Sequence, residues 1–150
     1  MLDQRDRRGV APSAQFSPDG RSLAYISDRT GRFEVYVQAF PDAGEVRPIS
    51  NDGGTEPVWA PSGRELFFRH GEKMMVVDVT AAPAFSTSRP RVLFEVRYEV
   101  SLLVPGMRFY DVSPDGQRFL MVKGGTEAAP RQLRLVVNWF EELKAKVPTV

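Results

Sequence analysis

The sequence has no cysteine and a single histidine, His70. Without cysteine there is no disulfide framework and no thiolate metal site. With one histidine, a zinc site would have to rest on carboxylates, which suit that ion poorly. A hydrolase triad would need the same residue as its base, and no Gly-x-Ser-x-Gly elbow accompanies it. His70 therefore reads as a turn residue, and neither a metal nor a cofactor is expected. Long hydrophobic runs are missing as well, so nothing approaches the ~18 apolar residues of a membrane span. "MLDQRDRRGV" has charges but no apolar run behind them, and no signal peptide is expected in it. An excess of one charge is also lacking. Twenty basic and 19 acidic residues leave +1, which gives no electrostatic reason to expect nucleic acid or an anionic membrane as partner. The short basic stretch "RDRR" at Arg5–Arg8 reads as a solvated arm.

What is present is a repeat. "FSPDG" begins at Phe16, "WAPSG" at Trp59 and "VSPDG" at Val112. Their prolines, Pro18, Pro61 and Pro114, are 43 and 53 residues apart. A period of ~40–50 residues with several strands in each repeat is the mark of a propeller blade. Ser at i, Pro at i+1 and Gly at i+3 are type I turn preferences. Proline also drives the residue before it to extended backbone, so Ser17, Ala60 and Ser113 should close a strand.

The strands expected around these turns are Ala14–Ser17, Ser22–Ser27, Phe33–Phe40 and Val46–Ile49 in the first unit. The second unit offers Pro57–Ala60, Glu65–Arg69, Met74–Val79 and Val92–Val96, with "HGEK" as a hairpin. The third offers Phe109–Ser113, Arg118–Val122 and Leu133–Val137. Runs such as "LAYI" and "MMVV" are apolar on both faces, as expected of strands covered on both sides. Long loops are expected over Ala81–Arg89 and Tyr98–Gly106. The ending differs: Asn138 and Glu141 have capping-box spacing, and Trp139, Leu143 and Val147 recur on one helical face. The fold class expected is all-β, with three propeller blades and a short C-terminal helix. The blades would span 10–52, 53–104 and 105–150.

"AQFSPDGRSLAYISDRTGRFEVYVQAF" resembles a TolB-type β-propeller repeat. Phe16, Ser17, Pro18, Asp19, Gly20, Ser27, Asp28, Gly31, Val35, Tyr36 and Val37 stand at matching positions. Trp59, Pro61 and Gly63 repeat the pattern, with Ala60 and Ser62 departing from it. "YDVSPDGQRFLMV" with "VVNWFEELKAKVP" is similar to the end of bacterial multidomain proteins that join such a propeller to a serine/threonine kinase or to another regulatory domain. The resemblance implies a six-bladed ring, of which three blades are half, and allows a periplasmic or extracytoplasmic location. No kinase motif occurs here, so phosphoryl transfer is not implied.

No catalytic constellation is legible. Asp19, Asp28 and Asp115 suit turns, where short polar side chains bond to backbone. "NDGGTE" and "KGGTE" lack the Lys-Ser/Thr ending of a phosphate loop. "NDGGTE" leads into an innermost strand, and aligning the units on their prolines puts Ser13, Glu56 and Phe109 at one level. The binding candidates at the channel mouth are therefore Ser13, Glu56, Arg108 and Phe109. Three readings follow. The leading one is a non-catalytic module that binds a protein or peptide and is completed by homodimerisation. The others are an enzyme of lactonase or glycan-processing kind with its site across the channel, and a C-terminal piece of a larger regulator with no function alone.

Overall fold

The computed structural model describes residues 13–41, 44–81, 84–95 and 107–122. The expected helix at Asn138–Val147, the strand Leu133–Val137, the loop Tyr98–Gly106, "KGGTE" and the arm at Arg5–Arg8 lie outside the described residues. Within them the chain is all-β. Strands β1 (Gln15–Phe16), β2 (Ser22–Ser27), β3 (Glu34–Ala39) and β4 (Val46–Pro48) form one antiparallel sheet in that order. Strands β5 (Thr55–Trp59), β6 (Glu65–His70), β7 (Lys73–Thr80), β8 (Ser86–Thr87) and β9 (Arg91–Glu95) form a second. Both β8 and β9 pair with β7. Strands β10 (Tyr110–Val112) and β11 (Phe119–Met121) make a third, two-stranded sheet.

The strand after each proline turn begins where the turn chemistry puts it. The N–H of Gly20 donates to the Ser17 carbonyl at 2.8 Å, that of Gly63 to Ala60 at 2.9 Å, and that of Gly116 to Ser113 at 2.8 Å. These glycines have φ of 71°, 69° and 72°, a left-handed backbone that favours glycine. Ser17 Oγ accepts the Ser22 N–H at 2.9 Å and donates to Asp19 Oδ1 at 2.6 Å. Asp19 Oδ1 also accepts the Arg21 N–H at 3.1 Å. Ser113, Asp115 and Gln117 repeat this arrangement. In the second unit Ser62 Oγ takes the aspartate's place and accepts the Arg64 N–H at 3.3 Å.

One reading of the sequence needs correction in detail. The stretch Ala81–Arg89 is not all loop, because Ser86 and Thr87 pair with Thr80 and Val79. Two polar residues gave no strand signal; the ladder to β7 defines the element. His70 lies in the hairpin, as its sequence implies: it ends β6 opposite Lys73 and is the first residue of the turn. The central residues of the turn are Gly71 and Glu72, with Gly71 at φ 59°. That is the II′ pattern, with glycine at the first central position.

Strands β5–β7 of the second sheet are buried on both faces, whereas β8 and β9 are largely exposed. Leu66, Phe68, Met75, Val77 and Val79 join Trp59 in a core with Ala24, Ile26, Val35 and Val37 of the first sheet and Ile49 just after it. The alternate residues Phe67, Met74 and Val76 join Val58 and Ala60 in another core, which holds Tyr110. Phe94, Val112, Phe119 and Met121 pack against it. Alternation of side chains along a strand thus splits β6 and β7 between two cores. Each fully buried side chain of this size contributes ~1.5–3 kcal/mol relative to exposure.

Candidate functional site

Each proline turn is entered by an edge strand, β1, β5 or β10, and the candidate residues lie on these strands or just before them. Glu56 lies on β5, where the register to β6 shifts between Thr55 and Val58. That irregularity coincides with a left-handed backbone at Glu56, φ 54°, which a non-glycine residue seldom adopts. Strain of this kind costs ~1–3 kcal/mol and persists only where neighbours over-determine it. The neighbours are visible. Glu56 Oε2 accepts the Phe109 N–H at 2.8 Å, and the Tyr110 hydroxyl donates to the Glu56 carbonyl at 2.7 Å. One residue therefore binds the third sheet by both its side chain and its backbone.

Glu56 is only 3% exposed. Removal from water pushes its carboxyl above the usual range, opposed by the Phe109 N–H and by the Arg69 guanidinium. Tyr110 is pushed well up by burial, and the Glu56 charge adds to this; Arg108 and Arg69 oppose it. Arg69 is itself buried and donates through Nη2 to the Gly71 carbonyl at 3.0 Å.

The four residues expected at the channel mouth are not equivalent. Glu56 and Phe109 are in direct contact. Arg108, beside them in sequence, is exposed and forms a loose 3.9 Å ion pair with Asp111. Met107, next to it, is 51% exposed. Ser13 is half-buried at the entry to β1. Arg69 was missed from the sequence because it reads as the polar end of "ELFFRH", yet it faces inward opposite Thr55.

A second polar cluster, also missed, holds the loop before β5. Glu34 accepts the Gly53 N–H, the Ser50 hydroxyl and Arg32 Nε, the last at 2.8 Å. Arg32 Nη2 reaches the Asn51 carbonyl at 2.7 Å and Nη1 reaches Asp52 at 3.0 Å. Ser50 Oγ accepts the Val35 N–H at 2.8 Å. A β-carbon at Gly54 would fall 2.5 Å from Ser50 Oγ, so "NDGG" needs its second glycine for close approach. Its role is to fix a loop, as the lack of a phosphate-loop ending implies. No group of three or more metal-ligating side chains occurs among the described residues. No helix among them is long and apolar enough to cross a membrane.

Against known proteins, the chain is similar in structure to TolB-like β-propeller domains. TolB from Acinetobacter baumannii superposes with a TM-score of 0.53 at 18% identity, covering 75% of this chain and 26% of that one. An oligogalacturonate lyase from Vibrio parahaemolyticus gives 0.49 at 17% identity, over 71% of this chain and 27% of that one. In sequence, the uncharacterised peptidase YuxL of Bacillus subtilis is 36% identical over 64 residues. That match takes in 41% of this chain and 9% of YuxL. The chain thus spans a small part of the length of the proteins it matches. No model of a protein family matches it. The all-β sheets described above resemble part of a TolB-like propeller.

Proposed function

We propose that the chain is a non-catalytic propeller module that binds a protein or peptide at its channel mouth. The observation that supports this is where the buried acids go. Glu34 and Glu56, both buried, hold backbone N–H groups of Gly53 and Phe109. Both carboxylates are thus engaged by rim backbone, and Glu34 also lines a cleft with Arg32, Tyr36 and Ser50. Beside that rigid rim stand exposed Met107 and Arg108. A polarizable thioether and a forked cation suit an adaptable contact with a peptide that carries a carboxylate.

A peptide-array screen tests this. Arg108→Glu is expected to weaken the selected peptides at least about tenfold, ~1.4 kcal/mol, with an unchanged denaturation midpoint. No peptide bound, together with turnover in an activity screen, would favour the enzyme reading. A second reading has one observation behind it, the stretch similar to YuxL. On that reading the segment belongs to a larger protein whose chemistry lies in another domain. Peptide hydrolysis by the product of the whole gene would support it.

A further inference from the structure

The two internal seams are built to one pattern, and the positions of that pattern recur at both outer faces. Phe16, Trp59 and Val112 each stand two residues before the turn proline. Trp59 is buried against the first unit and Val112 packs toward the second, but Phe16 is 50% exposed. Ala24, Phe67 and Leu120 stand six residues after it. Ala24 and Phe67 are buried toward the following unit, but Leu120 is 75% exposed, with Val122 nearby at 49%. The first unit therefore presents one half of a seam and the third unit presents the other half.

The turns follow the same order. A β-carbon on Gly63 would lie 3.6 Å from Pro18 Cδ, and one on Gly116 would lie 4.0 Å from Pro61 Cδ. Each glycine is seated on the proline of the unit before it. A β-carbon on Gly20 would meet nothing within 4 Å among the described residues, and Pro114 is the turn proline left over. Across the first seam, Gln15 Oε1 accepts the Trp59 N–H at 3.0 Å. Asp111 holds Gln15's position, three residues before the proline, and its side chain is exposed.

We propose that a second copy of this chain occupies these faces. The third unit of each copy seats on the first unit of the other, with Pro114 against Gly20 and Asp111 toward Phe16. Propellers close with about four to eight blades, and six is the multiple of three in that range. Two copies around a two-fold axis therefore suffice, and a closed two-fold assembly is the commonest oligomer. This rests on the propeller reading above, and it names what completes the channel mouth: Ser13, Glu56 and Phe109 of one copy continue into the same level of the other.

Sedimentation equilibrium of the full chain at micromolar concentration tests it. The expected mass is twice 16.8 kDa. Leu120→Asp and Phe16→Asp should each give a monomer with unchanged far-UV circular dichroism. Mixing the two variants should restore a dimer, because one of its two seams then has both wild-type halves. A wild-type monomer overturns the proposal in favour of blades supplied by a longer polypeptide. A ladder of larger species, variants that stay dimeric, or a mixture that stays monomeric overturns it too. A dimer that binds no peptide leaves this inference standing and removes only the binding reading.

Discussion

Single residues here act mainly through backbone shape. Gly20 and Gly116 have φ of 71° and 72°, so Gly20→Val and Gly116→Val should each cost ~1–3 kcal/mol, read as a lower urea midpoint. Asp19→Asn should change stability by less than about 0.5 kcal/mol, since asparagine keeps an oxygen for the Ser17 and Arg21 donors. Lost binding with an intact fold in that variant would make Asp19 functional. Glu56 gives a pH prediction. Its folded pKa is raised, chiefly by desolvation, so its contribution is fullest below the unfolded value of about 4.3. That contribution is lost as pH rises through the folded value. Glu56→Gln keeps an acceptor for Phe109 without the buried charge. It should match or exceed wild type in thermal midpoint at pH 7, and the gap should close toward pH 4. Glu56→Ala leaves the Phe109 N–H unmet and should cost ~1–3 kcal/mol. A gap between Glu56→Gln and wild type that widens on acidification would contradict the desolvation account.

At the scale of elements, one large ring carries each seam. Trp59 joins the first seam by burial, and its indole N–H donates to the Gln15 carbonyl at 3.2 Å. Trp59→Ala should cost ~3–5 kcal/mol. Phe119 ties the second seam through edge contacts to Phe67 at 4.9 Å and Phe94 at 5.4 Å. Phe119→Ala should free the third unit, seen as protease cleavage near Tyr110–Met121 while the first two sheets resist. Much of this was legible in the sequence. Pro-Gly turns mark strand ends by local chemistry, and β2 runs over Ser22–Ser27 as its pattern predicts. The Ser86–Thr87 strand was not legible, because its only support is a distant partner. The pairing of Glu56 with Phe109 was half legible. Aligning the prolines put the two at one level, but the contact spans a seam and depends on a left-handed backbone that no residue type announces. Arg69 and Glu34 were hidden for a related reason. A charge inside an apolar strand reads as its solvent side until the opposite face is seen to be covered.

For the whole molecule, the balance of stability turns on the two outer faces. Among the described residues Phe16, Leu120 and Val122 are exposed, and they are the apolar surface that the proposed second copy would cover. If a second copy covers it, only the folded form is bound, and stability must depend on concentration by mass action. Each tenfold rise in protein shifts a dimer against its unfolded chains by about 1.4 kcal/mol, or ~0.7 kcal/mol per chain. For a chain of this size that is a rise of about 2 °C in thermal midpoint. Across 1–100 micromolar the wild type should therefore gain about 4 °C. Leu120→Asp, whose side chain touches little in the lone chain, should melt at the same temperature throughout that range. Trp59→Ala makes the control. It weakens an internal seam, so it should lower the midpoint at every concentration without flattening the slope. A wild-type midpoint independent of concentration would mean that the outer faces stay uncovered by a second copy at these concentrations, and ring closure by two copies would be abandoned.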